Sequence, residues 1–154
     1  MKNFIIFDID GTLANIKHRL HFIEGDVKDW DGFYGAMSKD QPIFEMTDLL
    51  STILNSWSLT QINSEVVFVT GRPEKYRAKT MAWLQQQNHI ENLDKRLFMR
   101  KDGDHRPDYL VKKEIVEELR HRGTIKMAFE DRTQVVKMYR EMGIRCLQVA
   151  DGDY

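Results

Sequence analysis

The sequence predicts an α/β fold, in which a parallel sheet carries helices on both faces and the chain forms three layers. Two observations lead to this prediction. Short apolar runs of strand length alternate with segments whose apolar residues follow helical spacing. Polar residues follow several of these runs, as is typical of the carboxyl edge of an open α/β sheet. Strands that alternate with helices are joined by crossovers, so the sheet should be parallel and covered on both sides.

The predicted elements run in the order β-α-β-α-β, with one insertion. The first strand covers about residues 3–8, and a small irregular or helical insert follows it at about 15–41. The later elements are a helix at 44–57, a strand at 65–69, a helix from Pro73 to about 87, a short strand at 96–99, a polar loop at 100–108, a helix at 109–121, a strand at 125–129, a helix at 133–142 and a last strand at 144–149. Gly143 is predicted to stop the helix before it.

Length and composition predict one domain over residues 1–154, with the insert at about 15–41 as a small cap. The chain is 42% hydrophobic and 31% charged, which suits a globular protein with its own core. Its net charge of −1 argues against binding nucleic acid over the whole surface, because such proteins are usually clearly basic. Any contact with a polyanion should therefore be local.

The sequence also predicts a cytoplasmic protein with neither a membrane span nor a signal peptide. No apolar run approaches the ~18 residues that a span requires. The one cysteine, Cys146, leaves no intrachain disulfide and suits a reducing compartment. Because Cys146 lies in an apolar run, we expect a buried, inert thiol rather than a nucleophile.

Two carboxylates follow the first apolar run. Asp8 and Asp10 are two positions apart at the end of the predicted strand, where the chain leaves the sheet, so both can reach one site. Acids so close repel each other unless a cation or a shared proton intervenes, and Mg²⁺ is the natural cation for carboxylate ligands. An Asp can also act as a covalent nucleophile toward phosphorus. The alternative interpretation is a strand followed by an acidic turn, since Asp-Gly is a common turn pair.

Further polar residues stand at the predicted strand ends and helix starts. They are Thr70, Gly71, Arg72, Asp108, Lys112, Lys113, Glu130, Asp131 and Arg132. With the two acids they supply a nucleophile, metal ligands, hydrogen-bond donors and fixed cations. Phosphoryl transfer requires these groups, so the sequence predicts this chemistry.

Four motifs resemble those of haloacid dehalogenase (HAD) phosphatases, which implies the three-layer Rossmannoid form of the predicted fold. They are D-I-D-G-T at 8–12, V-T-G-R at 69–72, the lysine near the start of a helix at 112, and E-D at 130–131. Longer stretches resemble the phosphatase domain of bacteriophage polynucleotide kinase-phosphatase, from Phe4 to Tyr154. These stretches are G-D-x-R-x-D at 103–108, V-K-x-E-I at 111–115, E-D-R-T-Q-V-V at 130–136 and Q-V-A-x-G-D-Y at 148–154.

The resemblance implies a role for each acid of the site. Asp8 would attack phosphorus, and Asp10 would protonate the leaving hydroxyl and then deprotonate water. Mg²⁺ would bind the Asp8 carboxylate, the Asp10 backbone carbonyl and Asp131. Glu130 would lie beside the metal, as a ligand through water or as a supporting acid. The family commonly has Asp at this position, so the role of Glu130 is less defined.

The resemblance also implies which groups contact the phosphate and its charge. Lys112 would neutralise charge on the nucleophile and the phosphate, and Asp108, one helical turn earlier, would orient that lysine. The proposed phosphate-binding residues are Thr70, Gly71, Arg72, Arg19, Arg100 and Arg106. Several arginines in one site would suit a substrate with more than one phosphate. Without the resemblance, Arg19 and Arg100 are equally well explained as surface charges.

Together these inferences predict a Mg²⁺-dependent phosphomonoesterase that removes 3′-phosphate from nucleic-acid ends. A 5′(3′)-nucleotidase and a non-catalytic binding module of the same fold are the alternatives. Trp30, Phe33 and Tyr34 of the insert are expected either to stack on a base or to form a small core. No G-x-x-x-x-G-K-[ST] loop occurs, so no kinase activity is predicted for this chain, and a separate kinase or ligase is a possible partner.

Overall fold

A five-stranded parallel sheet forms the centre of the protein in a computed structural model that describes residues 1–56, 61 and 63–152. The strands are β1 (Lys2–Phe7), β2 (Ala14–Asn15), β3 (Gln41–Pro42), β4 (Ser64–Pro73), β5 (Leu97–Arg100), β6 (Gly123–Glu130) and β7 (Cys146–Gln148). The α-helices are α1 (Trp30–Gly35), α2 (Phe44–Leu54), α3 (Arg77–Gln87), α4 (Leu93–Arg96), α5 (Asp108–Arg122) and α6 (Thr133–Glu141). No helix in these ranges is long and apolar enough to cross a membrane.

The sheet has the order β5-β4-β1-β6-β7, and every neighbouring pair is parallel. The first strand of the chain is therefore the middle of the sheet, where Phe7 lies opposite Phe68 of β4 and Phe129 of β6. Residues that follow β1 emerge at the centre of the carboxyl edge. The predicted α/β class with a parallel sheet is confirmed.

Alternate residues of β1 contribute to two separate cores, one on each face of the sheet. Phe7 belongs to the core that includes Trp83 of α3. Ile6 belongs to the core that includes Val116 of α5 and Val135 of α6. Helices thus cover both faces, as the sequence predicts. The buried charged side chains Asp8, Lys112, Glu130 and Asp131 lie where β1 and β6 end.

The segment between β1 and α2 forms a small cap over the carboxyl edge. β2 and β3 pair as a short antiparallel ribbon, and α1 lies between two 3₁₀ helices, Lys17–Phe22 and Ala36–Lys39. Phe33 and Met37 are buried inside it. Trp83 of α3 donates its indole N–H to a backbone carbonyl of the cap at 2.8 Å. The cap is therefore tied to the body of the protein through α3.

Some elements differ from the prediction in extent. β4 continues to Pro73 because it pairs with β5 beyond the apolar run, so the Thr-Gly-Arg segment lies within a strand. The short helix α4 stands before β5, where the sequence predicts no helix. α2 ends at Leu54, and Trp57, the last residue of the predicted helix, lies outside the described residues. Gly143 follows α6 with a φ of 74°, so the predicted helix stop is confirmed.

Candidate active site

Buried polar groups meet at the carboxyl edge of the sheet, because β1, β4 and β6 all end there. Asp8 directly follows β1, Thr70 lies in β4, and Glu130 ends β6 with Asp131 next to it. Lys112 reaches the same place from the second turn of α5. All five residues are at most 3% exposed. The fold thus brings together residues that are far apart in the sequence.

The Lys112 ammonium group lies at the centre of this edge. Its Nζ is 2.6 Å from Oδ1 of Asp8 and 2.7 Å from Oε2 of Glu130. It also lies 3.2 Å from Oδ2 of Asp108, one helical turn earlier. Carboxylate oxygens of Asp8, Glu130 and Asp131 are within 4.8 Å of one another. These residues form what we call the Lys112 cluster: Asp8, Asp108, Lys112, Glu130 and Asp131.

The Lys112 cluster places three buried carboxyl groups, those of Asp8, Glu130 and Asp131, around one ammonium group, so its buried charge is not balanced. Asp108 pairs in addition with Arg100 at 3.2 Å and with Arg132 at 3.8 Å. Burial and the Glu130 carboxylate raise the pKa of Asp8 from 3.8 to about 8, although Lys112 opposes them. Burial and the neighbouring Asp8 raise the pKa of Asp131 to about 9. The charged form of both carboxyl groups is therefore unfavourable in this arrangement.

The same cluster has the donor set of a divalent cation site. Oδ2 of Asp8 and Oδ1 of Asp131 are buried and have no hydrogen-bond partner among the described residues. Buried polar atoms without partners are uncommon in proteins. Closely spaced carboxylate oxygens suit a hard cation such as Mg²⁺, which would also supply the missing positive charge. The residues present therefore fit the metal that the sequence predicts.

Two glycines leave room for the Asp131 side chain. A Cβ on either Gly11 or Gly152 would lie 2.1 Å from Oδ2 of Asp131, which is too close for any side chain. Gly11 also has a φ of +83°, a conformation that favours glycine. In the sequence, Gly152 belongs to the Q-V-A-x-G-D-Y stretch, which by itself indicates no role for it. In the structure its backbone passes directly beside Asp131.

Asp10 lies in a second group of buried charges, with Arg19, Arg72 and Asp40, which we call the arginine cluster. Arg19 Nη2 donates to Oδ1 of Asp10 at 2.7 Å, and Arg72 Nε donates to the same oxygen at 3.0 Å. Asp40 accepts from Nε and Nη2 of Arg19 at 2.8 Å each and from Nη2 of Arg72 at 3.1 Å. Two guanidinium groups thus face two carboxylates, and the cluster is balanced.

The arginine cluster holds Asp10 in its charged form. Burial alone would raise the pKa of Asp10, but Arg72 and then Arg19 outweigh burial and lower it from 3.8 to about 2. Asp10 is therefore ionised at neutral pH in this state of the protein. The two acids of the D-I-D motif thus have opposite electrostatic environments, although they are only two residues apart.

Asp40 is a site residue that no motif in the sequence predicts. It is 4% exposed, and besides both arginines its carboxylate contacts Nε2 of His18 at 2.8 Å. Its backbone carbonyl accepts the indole N–H of Trp83. In the sequence it stands between Lys39 and Gln41, in a polar stretch with no catalytic motif. Only the fold of the cap shows that this carboxylate is buried.

Thr70 and Gly71 lie beside the two aspartates on the wall of the site. The Thr70 hydroxyl accepts the backbone N–H of Arg72 at 3.3 Å. A Cβ on Gly71 would lie 2.2 Å from Oδ1 of Asp108, so the close approach of α5 to β4 requires a glycine here.

The side chains of Arg100 and Arg106 are both paired with neighbouring groups of the protein. Arg100 donates from Nε to the carbonyl of Gly71 at 2.8 Å, and from Nη1 to the carbonyls of Asp104 at 3.0 Å and Arg106 at 2.7 Å. The Arg106 side chain pairs with Asp104 and Glu114. Both arginines line the site, but these contacts tie the loop after β5 to β4. Their phosphate-binding role stays a prediction.

A cleft of about 1020 Å³ leads from the surface to Asp8 and Asp10, and Thr70 and Lys112 line it as well. Its volume is at the upper end of the range for small-molecule sites, about 300–1000 Å³, so it has room for far more than a phosphate group. Seven lysine and arginine residues line it together with eight aspartate and glutamate residues. The cleft is thus close to neutral in formal charge.

Comparison with known proteins agrees with this geometry. The family model of the phosphatase domain of polynucleotide kinase PNKP, of the HAD type, matches residues 2–154. A chain in the "Structure of Pnkp1/Rnl/Hen1 complex" is 28% identical with a TM-score of 0.76, and the match covers 100% of this chain and 48% of that one. A chain in the "Structure of the Pnkp1/Rnl/Hen1 RNA repair complex" is 26% identical with a TM-score of 0.76, over 100% and 44%. The protein thus spans about half the length of these two chains.

A more distant structure has the same fold. The class C acid phosphatase from Bacillus anthracis with tungstate bound is 12% identical with a TM-score of 0.71, over 99% of this chain and 68% of that one. The family match covers nearly all of the sequence, and it agrees with the resemblance inferred from the motifs. The chain therefore belongs to the family of polynucleotide kinase-phosphatase phosphatase domains, of the HAD type.

Proposed function

We propose that the protein is a Mg²⁺-dependent polynucleotide 3′-phosphatase that acts through an aspartyl-phosphate intermediate. The observation that carries this proposal is the Lys112 cluster at the end of an open cleft. It combines a carboxylate able to attack phosphorus, one fixed cation and an excess of buried acids that fits a divalent metal ion. The non-catalytic alternative loses its support, because the side chains that the reaction requires are assembled in one place.

Asp8 is the proposed nucleophile. One of its carboxylate oxygens would form a bond to phosphorus while the bond from phosphorus to the leaving 3′ oxygen breaks. Lys112, 2.6 Å from Oδ1, would orient the carboxylate and balance charge on the phosphoryl group. Mg²⁺, held by Asp8, Asp131 and the Asp10 carbonyl with Glu130 alongside, would supply further positive charge to the phosphoryl oxygens. Water would then cleave the aspartyl-phosphate and release inorganic phosphate.

Asp10 is the proposed acid and base. The leaving 3′ oxygen requires a proton, but Asp10 is ionised in the free protein because two arginines face it. A phosphate dianion that enters the site adds negative charge next to Asp10. This added charge raises the pKa of Asp10 and favours its protonation. After proton transfer to the leaving group, the Asp10 carboxylate would be able to deprotonate the attacking water.

The phosphate itself would be bound by groups on the inner wall of the cleft. Thr70 and Gly71 lie there beside Asp8, and they offer a hydroxyl and a backbone N–H. Arg19 and Arg72 are fully buried behind Asp10 and are not among the residues that line the cleft, so we propose that they act on a bound phosphate through the charge of Asp10. We include Arg100 and Arg106 in the site as wall residues.

The cleft supports a nucleic-acid end as the substrate and argues against recognition of a long polymer. The small cap leaves the site open, which allows a polymer end to enter. The near-neutral lining, however, does not favour the binding of a long polyanion. We therefore propose that the enzyme recognises the terminal nucleotides and is insensitive to the length beyond them. The alternative is a 5′(3′)-nucleotidase, which would accept mononucleotides equally well in the same cleft.

The experiment that tests the function compares phosphate release from several substrates at equal phosphate concentration. They are a 3′-phosphorylated oligonucleotide, a 3′-phosphorylated dinucleotide, the 5′-phosphorylated oligonucleotide, and the 3′- and 5′-mononucleotides. Each reaction is run with Mg²⁺ and with EDTA, and Asp8→Asn serves as the control for contaminating phosphatases. We expect the two 3′-phosphorylated nucleic acids to react best and at similar kcat/KM, and only with the metal.

Other results would change the assignment. Turnover of mononucleotides that equals or exceeds that of the oligonucleotide would favour the nucleotidase. A strong preference for the longer 3′-phosphorylated substrate over the dinucleotide would contradict recognition of the terminus alone. Full activity in EDTA would overturn the metal dependence.

We propose that residues 1–154 act as one domain in the cytoplasm, which the free and buried thiol of Cys146 supports. Two of the similar structures come from complexes named for Rnl and Hen1, and one of them is described as an RNA repair complex. A separate kinase or ligase that completes end repair is therefore a reasonable partner to test.

A further inference from the structure

The three aromatic residues of the cap have different environments. Phe33 is 3% exposed and covers the Arg19 guanidinium at 4.1 Å, so it belongs to the interior of the cap. Tyr34 is half-buried, and its hydroxyl donates to the carbonyl of Gly71 at 3.5 Å, between the cap and β4. Trp30 is 45% exposed although it is the largest of the three. Packing inside the protein explains the presence of Phe33 and Tyr34, but it does not explain a large apolar side chain that is exposed at position 30.

Trp30 stands on the wall of the same cleft that leads to Asp8. Phe33 meets it edge-on with ring centroids 5.8 Å apart, and Tyr34 stacks with it at 6.0 Å. These contacts hold the indole in place from within the cap. The first turn of α1, which begins at Trp30, is fixed as well, because the Asp29 side chain accepts the Gly32 N–H at 2.8 Å. The exposed indole is therefore preorganised rather than a mobile surface side chain.

A cation accompanies the exposed ring. Lys28 Nζ lies 5.7 Å from the Trp30 ring centroid, and Lys28 lines the cleft too. A rigid indole beside an ammonium group offers stacking for a planar base and a charge for a nearby phosphodiester. The cleft has room for more than the phosphate group, as its volume shows, so ligand atoms beyond the phosphate must lie against its walls.

From this arrangement we infer that Trp30 is a nucleobase-stacking site that selects substrates carrying a base within the last two nucleotides of the phosphorylated end. Lys28 supports it by contacting the phosphodiester between those nucleotides. This inference rests on the proposed function and names the part of the substrate that the cap recognises. It makes Trp30 a residue of substrate specificity, with no part in the chemical step.

The test uses Trp30→Ala and Trp30→Phe, with Phe44→Ala as the matched control. Phe44 is an exposed aromatic residue, at 66%, that does not line the cleft. Each protein is assayed on a 3′-phosphorylated oligonucleotide, on the same oligonucleotide with abasic residues at its last two positions, and on p-nitrophenyl phosphate. Trp30→Ala should lower kcat/KM on the complete oligonucleotide about 10-fold, within the range that loss of one base stack produces. Trp30→Phe should retain most of the activity.

The remaining substrates distinguish stacking from a general defect. On the abasic oligonucleotide and on p-nitrophenyl phosphate, Trp30→Ala should match the wild type, and Phe44→Ala should match it on all three substrates. Binding gives a second readout: a 3′-phosphorylated dinucleotide should quench the tryptophan fluorescence of Asp8→Asn but not that of Asp8→Asn with Trp30→Phe.

Two results overturn the inference. One is an equal loss for Trp30→Ala on substrates with and without the terminal bases, and the other is no loss on any of them. Either would leave the proposed function intact as long as the wild type still prefers the 3′-phosphorylated oligonucleotide. Conversely, a wild type that does not prefer this substrate would contradict the proposed function, whatever the variants show.

Discussion

The Lys112 cluster and the arginine cluster are both buried and both built from charged side chains, yet their charges are distributed in opposite ways. The Lys112 cluster has three buried carboxyl groups around one ammonium group, and its fourth acid, Asp108, also pairs with two arginines. The arginine cluster has two carboxylates facing two guanidinium groups. Accordingly, the pKa of Asp8 is raised and that of Asp10 is lowered.

This difference means that the Lys112 cluster requires a bound cation to balance its charge, whereas the arginine cluster does not. The arginine cluster satisfies its charges within the protein and therefore serves to fix geometry. The Lys112 cluster is complete only when a cation joins it, and it is also where the proposed nucleophile lies. Because the charges of the arginine cluster are balanced, this cluster would keep the cap in place while metal and substrate bind to and leave the Lys112 cluster.

The largest effect is expected from Asp8→Asn, which removes one acid from the unbalanced cluster. Loss of the nucleophile should lower kcat by about 10,000-fold or more, as is typical when a nucleophile is removed. The thermal midpoint of the metal-free protein should stay the same or rise, since one buried acid less reduces repulsion. Phosphate release and thermal unfolding in EDTA measure the two effects. A variant that is inactive because it is unfolded would contradict this description of the cluster.

Asp40→Asn is expected to break the balanced cluster and to have the next largest effect. It leaves two buried guanidinium groups with one carboxylate, and removing one partner of a buried ion pair costs about 3–5 kcal/mol of unfolding free energy. We also expect kcat to fall by about 10-fold or more, because Arg19 and Arg72 would no longer be held against Asp10. Urea unfolding and steady-state kinetics measure both changes.

The matched control for Asp40 is Asp48→Asn, which changes an exposed carboxylate on α2. It should be close to wild type in both measurements. If Asp40→Asn also left the free energy of unfolding and kcat unchanged, Arg19 and Arg72 would not depend on Asp40 for their position.

The free energy of unfolding of the metal-free protein should fall as pH rises, because of the acids of the Lys112 cluster, and Mg²⁺ should oppose this fall. Asp8 and Asp131 have pKa values of about 8 and 9 in the folded protein and 3.8 as the ordinary value, so the folded form retains protons that the unfolded chain loses. The stability that this difference provides is complete below about pH 4 and is lost as pH rises toward 9. Saturating Mg²⁺ should restore it at pH 8, by about 3 kcal/mol at 100-fold excess over Kd.

Urea unfolding at several pH values, with EDTA and with Mg²⁺, measures this effect. Asp131→Asn should abolish most of the stabilisation by Mg²⁺ and leave the arginine cluster intact. Equal stabilisation by Mg²⁺ at pH 5 and at pH 8 would mean that the metal does not compete with protons for these acids.

The smallest effect is expected from Arg106→Ala, outside both clusters. The Arg106 side chain is 46% exposed and pairs with Asp104 and Glu114, so we expect kcat/KM to change by less than about twofold. Glu114→Ala, which removes one of its partners, is the matched control. A loss near 10-fold for Arg106→Ala alone would show that this arginine leaves its partners and binds phosphate, as the motif at 103–108 predicts.

The sequence predicted the parts of this protein that depend on local pattern. The apolar run before Asp8 and the helical spacing before Gly143 depend on neighbouring residues only, and the elements they predict are present. The predicted ends of the strands were less accurate where pairing with a neighbouring strand determines them. β4 continues past its apolar run because β5 provides hydrogen bonds, which no local pattern reports.

The predicted site residues were found by their motifs, whereas Asp40 and Gly152 acquire their positions from the tertiary structure. Asp40 is buried only because the cap folds over Arg19 and Arg72. Gly152 matters only because its backbone passes close to Asp131. In physical terms, the missed residues act through packing and charge balance, which depend on partners far away in the chain.

The Lys112 cluster has a consequence for how the protein folds. Lys112 and Asp8 are 104 positions apart, so their contact forms only after β1 and α5 have docked on the same sheet. Such long-range contacts slow folding because a long loop must close first. The step that closes this loop also brings four acids together, so we expect repulsion to delay it and Mg²⁺ to accelerate it. Refolding yield and rate in this phosphatase would then depend on the same ion as its activity.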